Sequence, residues 1–350
     1  MSRKWTLRNM DVQREVLRVH GTLEAAGIPH VFLKGTHLVF GLYPNPALRP
    51  VRDIDVLIPG DRASDAYATL VDGGLLPSLQ HWREILDAES YQHSLPHLHA
   101  PCNTINIDIH RRLLRMHGLQ AGTPAPSAHA SFWSSLDSVT VAGTQIPVSA
   151  PEPLLLHLAA HAALEHHFDN GPLLLSDVAH LLQKHTIDWP ALWQMAESVG
   201  ATRPLALTLA VCSGYSPSPA RARAEPPSAS AAPSSELVNL ATLALLSPAE
   251  GTHEIRVLER LRRRARTGSW LRELWQVACP PRKVMASVYD TSPTSPSLLL
   301  RYPQRWWNLI SRRVCSFSPL LTTRPHAFNV AKNTQLISTW LTSDGTRPSP

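Results

Sequence analysis

The sequence predicts an α+β protein: a mixed sheet with flanking helices, followed by a helical C-terminal domain. Three observations carry this. Residues 104–110 (TINIDIH) alternate strictly between apolar and polar, as a half-buried strand does. Residues 8–26 instead space Val12, Val16, Val19 and Leu23 by three and four, the repeat of an amphipathic helix. From Pro151 onward the pattern is helical, and 16 of the 31 prolines fall in the 150 residues after residue 200, which points to segmented helices and linkers there.

Taken in order, the first helix ends at Gly27, placed as a C′ stop, and Pro29 bars its continuation. His30-Val31-Phe32-Leu33 reads as a short strand. Lys34-Gly35-Thr36 then turns the chain into a second helix over 36–42, with Thr36 as its N-cap. A loop with Pro44, Pro46 and Pro50 leads to a strand over 53–58. Pro59-Gly60 ends that strand, and a helix over 61–72 runs to Gly73-Gly74. Residues 75–115 read as further strands around a loop, 118–130 as a loop, and 139–148 as a hairpin turned at Ala142-Gly143. That hairpin closes a first domain, 1–150. Helices are expected over 153–168, 173–184, 189–199 and 204–212. Residues 215–236, rich in Pro, Ser and Ala, read as a linker. Further helices are expected over 236–246, 254–277 and around 303–314, which gives a helical domain 151–315 and a poorly ordered tail, 316–350.

At 350 residues the chain has room for about two domains. Its 43% hydrophobic content supports a packed core and excludes wholesale disorder. The net charge of +6 is unevenly placed: residues 251–350 hold 16 Lys/Arg against 5 Asp/Glu, so the first 250 residues are net acidic. The basic third is either a solvated arginine-rich face or a contact for an anionic partner. Cys102, Cys212, Cys279 and Cys315 are scattered, with neither a zinc-knuckle spacing nor a secreted disulfide framework. No apolar run follows Met1-Ser2-Arg3-Lys4 and none approaches 18 residues, so a soluble cytoplasmic protein without a membrane partner is expected.

The chemistry is carried by acids on strands. Residues two apart share a strand face, so Asp53 and Asp55 point the same way, with Ile54 and Val56 behind them. Neighbouring like charges repel, and a cation between them relieves the strain. On the second strand Ile105, Ile107 and Ile109 face one side, and Asn106, Asp108 and His110 the other. If the two strands are neighbours, Asp53, Asp55 and Asp108 converge. Such an oxygen set suits Mg²⁺, with Mn²⁺ as a substitute. Two ions roughly 3.5–4 Å apart can clamp a phosphoryl displacement. Upstream, Gly35-Thr36 opens a helix directly after a strand, where backbone N–H groups and the helix dipole favour phosphate. Lys34, Arg49 and Arg52 add positive charge suited to a triphosphate. Each piece is common alone, but their order in the chain is far more specific.

That order resembles the DNA polymerase β-type nucleotidyltransferase superfamily, and more closely a bacterial family of uncharacterised nucleotidyltransferases. The matching pieces are Leu33-Lys34-Gly35, Leu42-Tyr43, Arg49, the run Arg52-Asp53-Ile54-Asp55-Val56-Leu57-Ile58, Ile107-Asp108-Ile109-His110, His157-Leu158 with His161, and Ser176-Asp177-Val178 with Leu181-Leu182. The resemblance covers residues 10–210 and, more loosely, the helices to 315. It implies a nucleotidyltransferase-type mixed sheet and a catalytic domain over 1–150. It also implies Mg²⁺ dependence and transfer of a nucleoside monophosphate, AMP first, from a nucleoside triphosphate. The acceptor would be a hydroxyl or phosphate of a small molecule, peptide or protein. Gly35 and Thr36 take the phosphate-loop role by this match, and Asp53, Asp55 and Asp108 the metal roles. Lys-Gly-Thr replaces the superfamily's usual Gly-Ser. Two other functions stay open: a catalytically degenerate nucleotide-binding module for partner recognition, and a transferase acting on nucleic-acid ends.

Further features have two readings each. His157, His161 and Glu165 recur every four residues, as structural groups, as acceptor or nucleotide contacts, or as metal ligands without the H-E-x-x-H signature. His161 and Asp177 are expected to meet across packed helices, and with His110 to shape a substrate cleft between the domains. His81, His93, His97 and His99 suggest a mobile loop over the site. Arg260 to Arg266 with Trp270 and Trp275 reads as a nucleic-acid face or as a helix packing tryptophan inward. Trp306-Trp307 is expected to be core.

Overall fold

The computed structural model describes residues 3–77, 94–95, 97–100, 105–114, 130–215, 226–247, 279, 295–296, 299–304, 306–307 and 333–341. Helix α1 (Arg3–Ala25) opens the chain, and its apolar stripe of Val12, Val16, Val19 and Leu23 is fully buried. Gly27 ends it in the left-handed conformation, φ +62°, as the C′ pattern requires. Among the described residues seven strands follow between helices: β1 (Val31–Phe32), β2 (Asp53–Leu57), β3 (Leu76–Pro77), β4 (Leu98–His99), β5 (Asn106–His110), β6 (Asp137–Val141) and β7 (Thr144–Val148). They form one mixed sheet in the order β3-β4-β5-β2-β1-β7-β6. The pairs β2–β5 and β1–β7 are parallel and the others antiparallel. The β6–β7 hairpin turns at Ala142 and Gly143, both at positive φ, the conformation a two-residue hairpin turn demands.

The alternation along the strands decides what covers each face. Ile54, Val56, Ile58, Ile107 and Ile109 join the stripe of α1 and Ala63, Ala66 and Leu70 of α3 (Ala63–Asp72) in one core. Val31, Leu33 and Leu57 point the other way, into a second core shared with the helices after residue 150. Asp53, Asp55, Asp108 and His110 alternate with the first set, so they lie on the face turned toward those helices.

After the short α4 (Ala130–Ser134), that half comprises α5 (Pro151–Ala160), α6 (Leu173–Lys184), α7 (Trp189–Ser198), α8 (Thr202–Ser213) and α9 (Ser235–Leu246). The α7 start shows the local logic: Asp188 accepts from the Ala191 N–H at 3.1 Å, and a proline occupies the first turn. Leu33, Leu38, Leu42 and Leu57 share a core with Leu154, Leu155, Val178, Leu181 and Leu205, so the two halves are packed as one body.

Several expectations are corrected. The helix expected at 36–42 starts earlier, as α2 (Lys34–His37), and continues as a π-helical turn over Leu38–Leu42, so Thr36 is not its N-cap. A second π-helical turn, His161–Glu165, follows α5. Such turns insert an extra residue, which a 3.6-residue pattern does not reveal. Ala231 is buried in a short 3₁₀ turn, Ala229–Ala231. Residues 333–341 are helical and bury Ile337 and Leu341 in the second core. Arg203 anchors that helix, donating to the Trp340 carbonyl at 2.8 Å with its guanidinium 5.3 Å over the Trp340 ring. Trp306 and Trp307 are 42% and 71% exposed rather than core. The helix expected at 254–277, with its arginine run and Trp270 and Trp275, lies outside the described residues, as do His81 and His93. Among the described residues no helix is long and apolar enough to cross a membrane.

Candidate active site

The register of the central parallel pair builds the site. Asp53 lies opposite Asn106, Asp55 opposite Asp108 and Leu57 opposite His110. Paired strands run about 4.8 Å apart. Asp55 and Asp108 are therefore lateral neighbours on one face, with Asp53 two residues upstream on that same face. Three carboxylates from separate stretches of chain share a patch at the boundary between sheet and helices.

Their environments differ. Asp55 is buried, and its Oδ1 meets His110 Nε2 at 2.8 Å and Lys34 Nζ at 3.3 Å. Burial alone would raise its pKa, but the Lys34 ammonium and the His110 hydrogen bond prevail and hold it well below the usual carboxylate range. Asp108 Oδ1 is bonded by His97 Nδ1. Asp53 presents an exposed residue surface. Desolvation by the surrounding protein, then repulsion from Asp55 and Asp108, raises its pKa to about 6 despite Lys34.

The phosphate-loop residues are placed differently from expectation. Lys34, at φ +36°, is bound to Asp55 instead of standing free for a triphosphate. Burial would lower its pKa, but Asp55, Glu165 and Asp53 outweigh burial and raise it, so it stays charged. At Gly35 a Cβ would come within 3.2 Å of Val51 Cγ1 and 3.4 Å of Arg49 Nη1, a close approach that explains the glycine. Thr36 is fully buried and its hydroxyl has no hydrogen-bond partner. Arg49 makes a two-pronged pair with Asp177, at 2.7 and 2.8 Å. Arg52 is exposed.

The expected pair of His161 and Asp177 does not form, because Asp177 is occupied by Arg49 and by the Tyr43 hydroxyl at 2.8 Å. His161 Nδ1 lies 3.4 Å from Glu165 Oε2 instead. Desolvation first, and Lys34 second, pulls His161 down to about 4. His157, one turn earlier, is buried with Nδ1 unpartnered. Desolvation and then Lys34, His161 and His110 push its pKa well down. A polar row thus runs from Asp55 through Lys34 to His157, His161 and Glu165. His110 and His161 belong to it, and Asp177 does not. The row ends at a π-helical turn, a feature frequent at functional sites, followed by positive φ at His167 and Phe168.

Sequence reasoning missed the pairing of His97 with Asp108. The β4–β5 register, Leu98↔Ile107 and His99↔Asn106, delivers it by bringing residue 97 level with residue 108. It also missed the Lys34–Asp55 pair. Alternation exposed the acids, but not which cation would neutralise them.

The donor set fits a divalent ion. Asp55 and Asp108 each use Oδ1 on a protein partner and keep Oδ2, while Asp53 carries charge its neighbours do not neutralise. The mixed sheet thus carries three acids on the face toward the helical half. Residues 1–216 match the family described as uncharacterised nucleotidyltransferases, and the chain belongs to that family. Its chemistry is nucleotidyl transfer and its donor a nucleoside triphosphate. No curated protein matches the chain.

Proposed function

We propose that this enzyme moves a nucleoside monophosphate, AMP first, to a hydroxyl or phosphate oxygen of a small-molecule, peptide or protein acceptor, in a Mg²⁺-dependent reaction. The observation that carries this reading is the level pairing of Asp55 with Asp108, beside Asp53 on the same face. These three would hold Mg²⁺, or Mn²⁺ in its place. When bound, the ion neutralises triphosphate charge and lowers the pKa of an acceptor hydroxyl.

The chain's own groups do the rest. Asp108 orients the acceptor hydroxyl and accepts its proton. The acceptor oxygen bonds to the α-phosphorus, the bond from that phosphorus to the bridging oxygen breaks, and pyrophosphate leaves. Lys34 and His110 fix Asp55, so that the acids need little rearrangement. The polar row toward His161 and Glu165 borders the acceptor's approach. The test is mass spectrometry of candidate acceptors incubated with each nucleoside triphosphate and Mg²⁺, beside Asp53→Ala. A gain of one nucleotide unit that disappears in the variant is expected. Equal labelling by both proteins would overturn the reading.

A further inference from the structure

We propose a second metal site, for a first-row divalent ion such as Zn²⁺, formed by His20, Glu24 and His30. His20 and Glu24 are four residues apart on α1 and so share a face. The turn through Gly27 and Pro29 brings His30 back against them. One ligand atom from each lies within 4.8 Å of the others.

His30 has the posture of a metal-bound imidazole. It is 4% exposed, and its Nδ1 lies 2.8 Å from the Ile28 carbonyl, to which it donates. That leaves an Nε2 lone pair, held 2.8 Å from His20 Nδ1. A backbone carbonyl fixing the far nitrogen is how metal-ligating histidines are oriented. Tetrahedral zinc ligands at 2.0–2.1 Å sit about 3.3 Å apart, so the two rings need separate by only about 0.5 Å. Without an ion, His20 Nδ1–H donates to His30 Nε2. Binding shifts that proton to His20 Nε2 by exchange through water, with no net proton released.

Two imidazoles and a carboxylate suit Zn²⁺ better than Mg²⁺. The site is separate from the acids. With Val31 opposite Leu57, His30 lies past the end of β2 remote from Asp53, about 16 Å along the strand. A bound ion would clip the end of α1 to the start of β1.

The test is a titration of the full-length, tag-free chain with Co²⁺, in an Asp53→Asn background so that the acids do not compete. One equivalent should give the visible absorption of tetrahedral cobalt, displaced by Zn²⁺. His20→Gln should abolish it. Glu24→Gln should weaken binding by more than about tenfold, since losing even an outer partner of a metal ligand costs 10–100-fold. His20 is only half-buried and Glu24 is exposed, so both variants should fold. Absence of the band in the unsubstituted site, or full binding by His20→Gln, would overturn the proposal. Neither outcome bears on nucleotidyl transfer.

Discussion

Arg49 and Asp177, 128 positions apart, form a two-pronged ion pair that joins the loop before β2 to helix α6. Tyr43 completes it, its hydroxyl bonding both Asp177 and Ser176. Arg49 is largely buried, so removing one partner strands a charge in the interior, at a cost of about 3–5 kcal/mol. Asp177→Ala should lose that much in urea unfolding. Arg49→Met combined with Asp177→Ala should lose less than the two single effects together. Strict additivity would show that the pair is not coupled.

Asp53, proposed above as a metal ligand, sits under repulsion from its neighbours. Its carboxyl is crowded by Asp55 and Asp108 and holds its proton up to about pH 6. Removing the charge should relieve that repulsion at neutral pH. Asp53→Asn is therefore expected to raise Tm in metal-free buffer at pH 7.5 while abolishing transfer. Mg²⁺ should raise the Tm of the wild type and narrow the gap. A lower Tm for the variant without metal would contradict this account.

His37 predicts the acid limb of stability. Burial drives its pKa from 6.5 to about 4, and its Nδ1 has no hydrogen-bond partner. The unfolded chain therefore binds a proton between pH 6.5 and 4 that the folded chain refuses. Stability from this group is complete above pH 6.5 and falls as pH drops through that window, by up to about 1.4 kcal/mol per unit. Between pH 7.5 and 5.0 His37→Gln should lose less stability than the wild type, by on the order of 1–2 kcal/mol. Equal losses in urea titrations at the two pH values would remove His37 from the explanation.

How much of this was legible in the sequence depends on whether a feature has a short period. Val12 to Leu23, Ile54 with Val56, and Ile105 to Ile109 declare their faces by alternation or helical spacing, and those faces are buried as expected. The shared face of Asp53 and Asp55 follows from the same rule. That β5 lies parallel and level with β2 does not, since register arises from the packing of residues fifty positions apart. Lys34 and Arg49 look from sequence like free phosphate ligands because their partners, Asp55 and Asp177, come from other elements. The π-helical turns at 38–42 and 161–165 add one residue to an otherwise ordinary helical repeat and leave no mark in it.

The first of those turns makes a last prediction. Gly41 lies where a Cβ would come within 2.8 Å of Val139 Cγ1 and 3.0 Å of His37 Cδ2. The glycine is needed for close approach to β6, because its φ is not among the positive ones. Gly41→Ala must therefore push the turn away from the β6–β7 hairpin, with an overpacking cost of about 1–3 kcal/mol. Ala has the better helix propensity, so a site governed by propensity would gain stability instead. Val139→Ala removes the nearer obstacle, and the double variant should recover part of the loss in chemical unfolding. Recovery identifies the contact with Val139 as the constraint. A stable single variant would mean that the turn and the hairpin have room to separate.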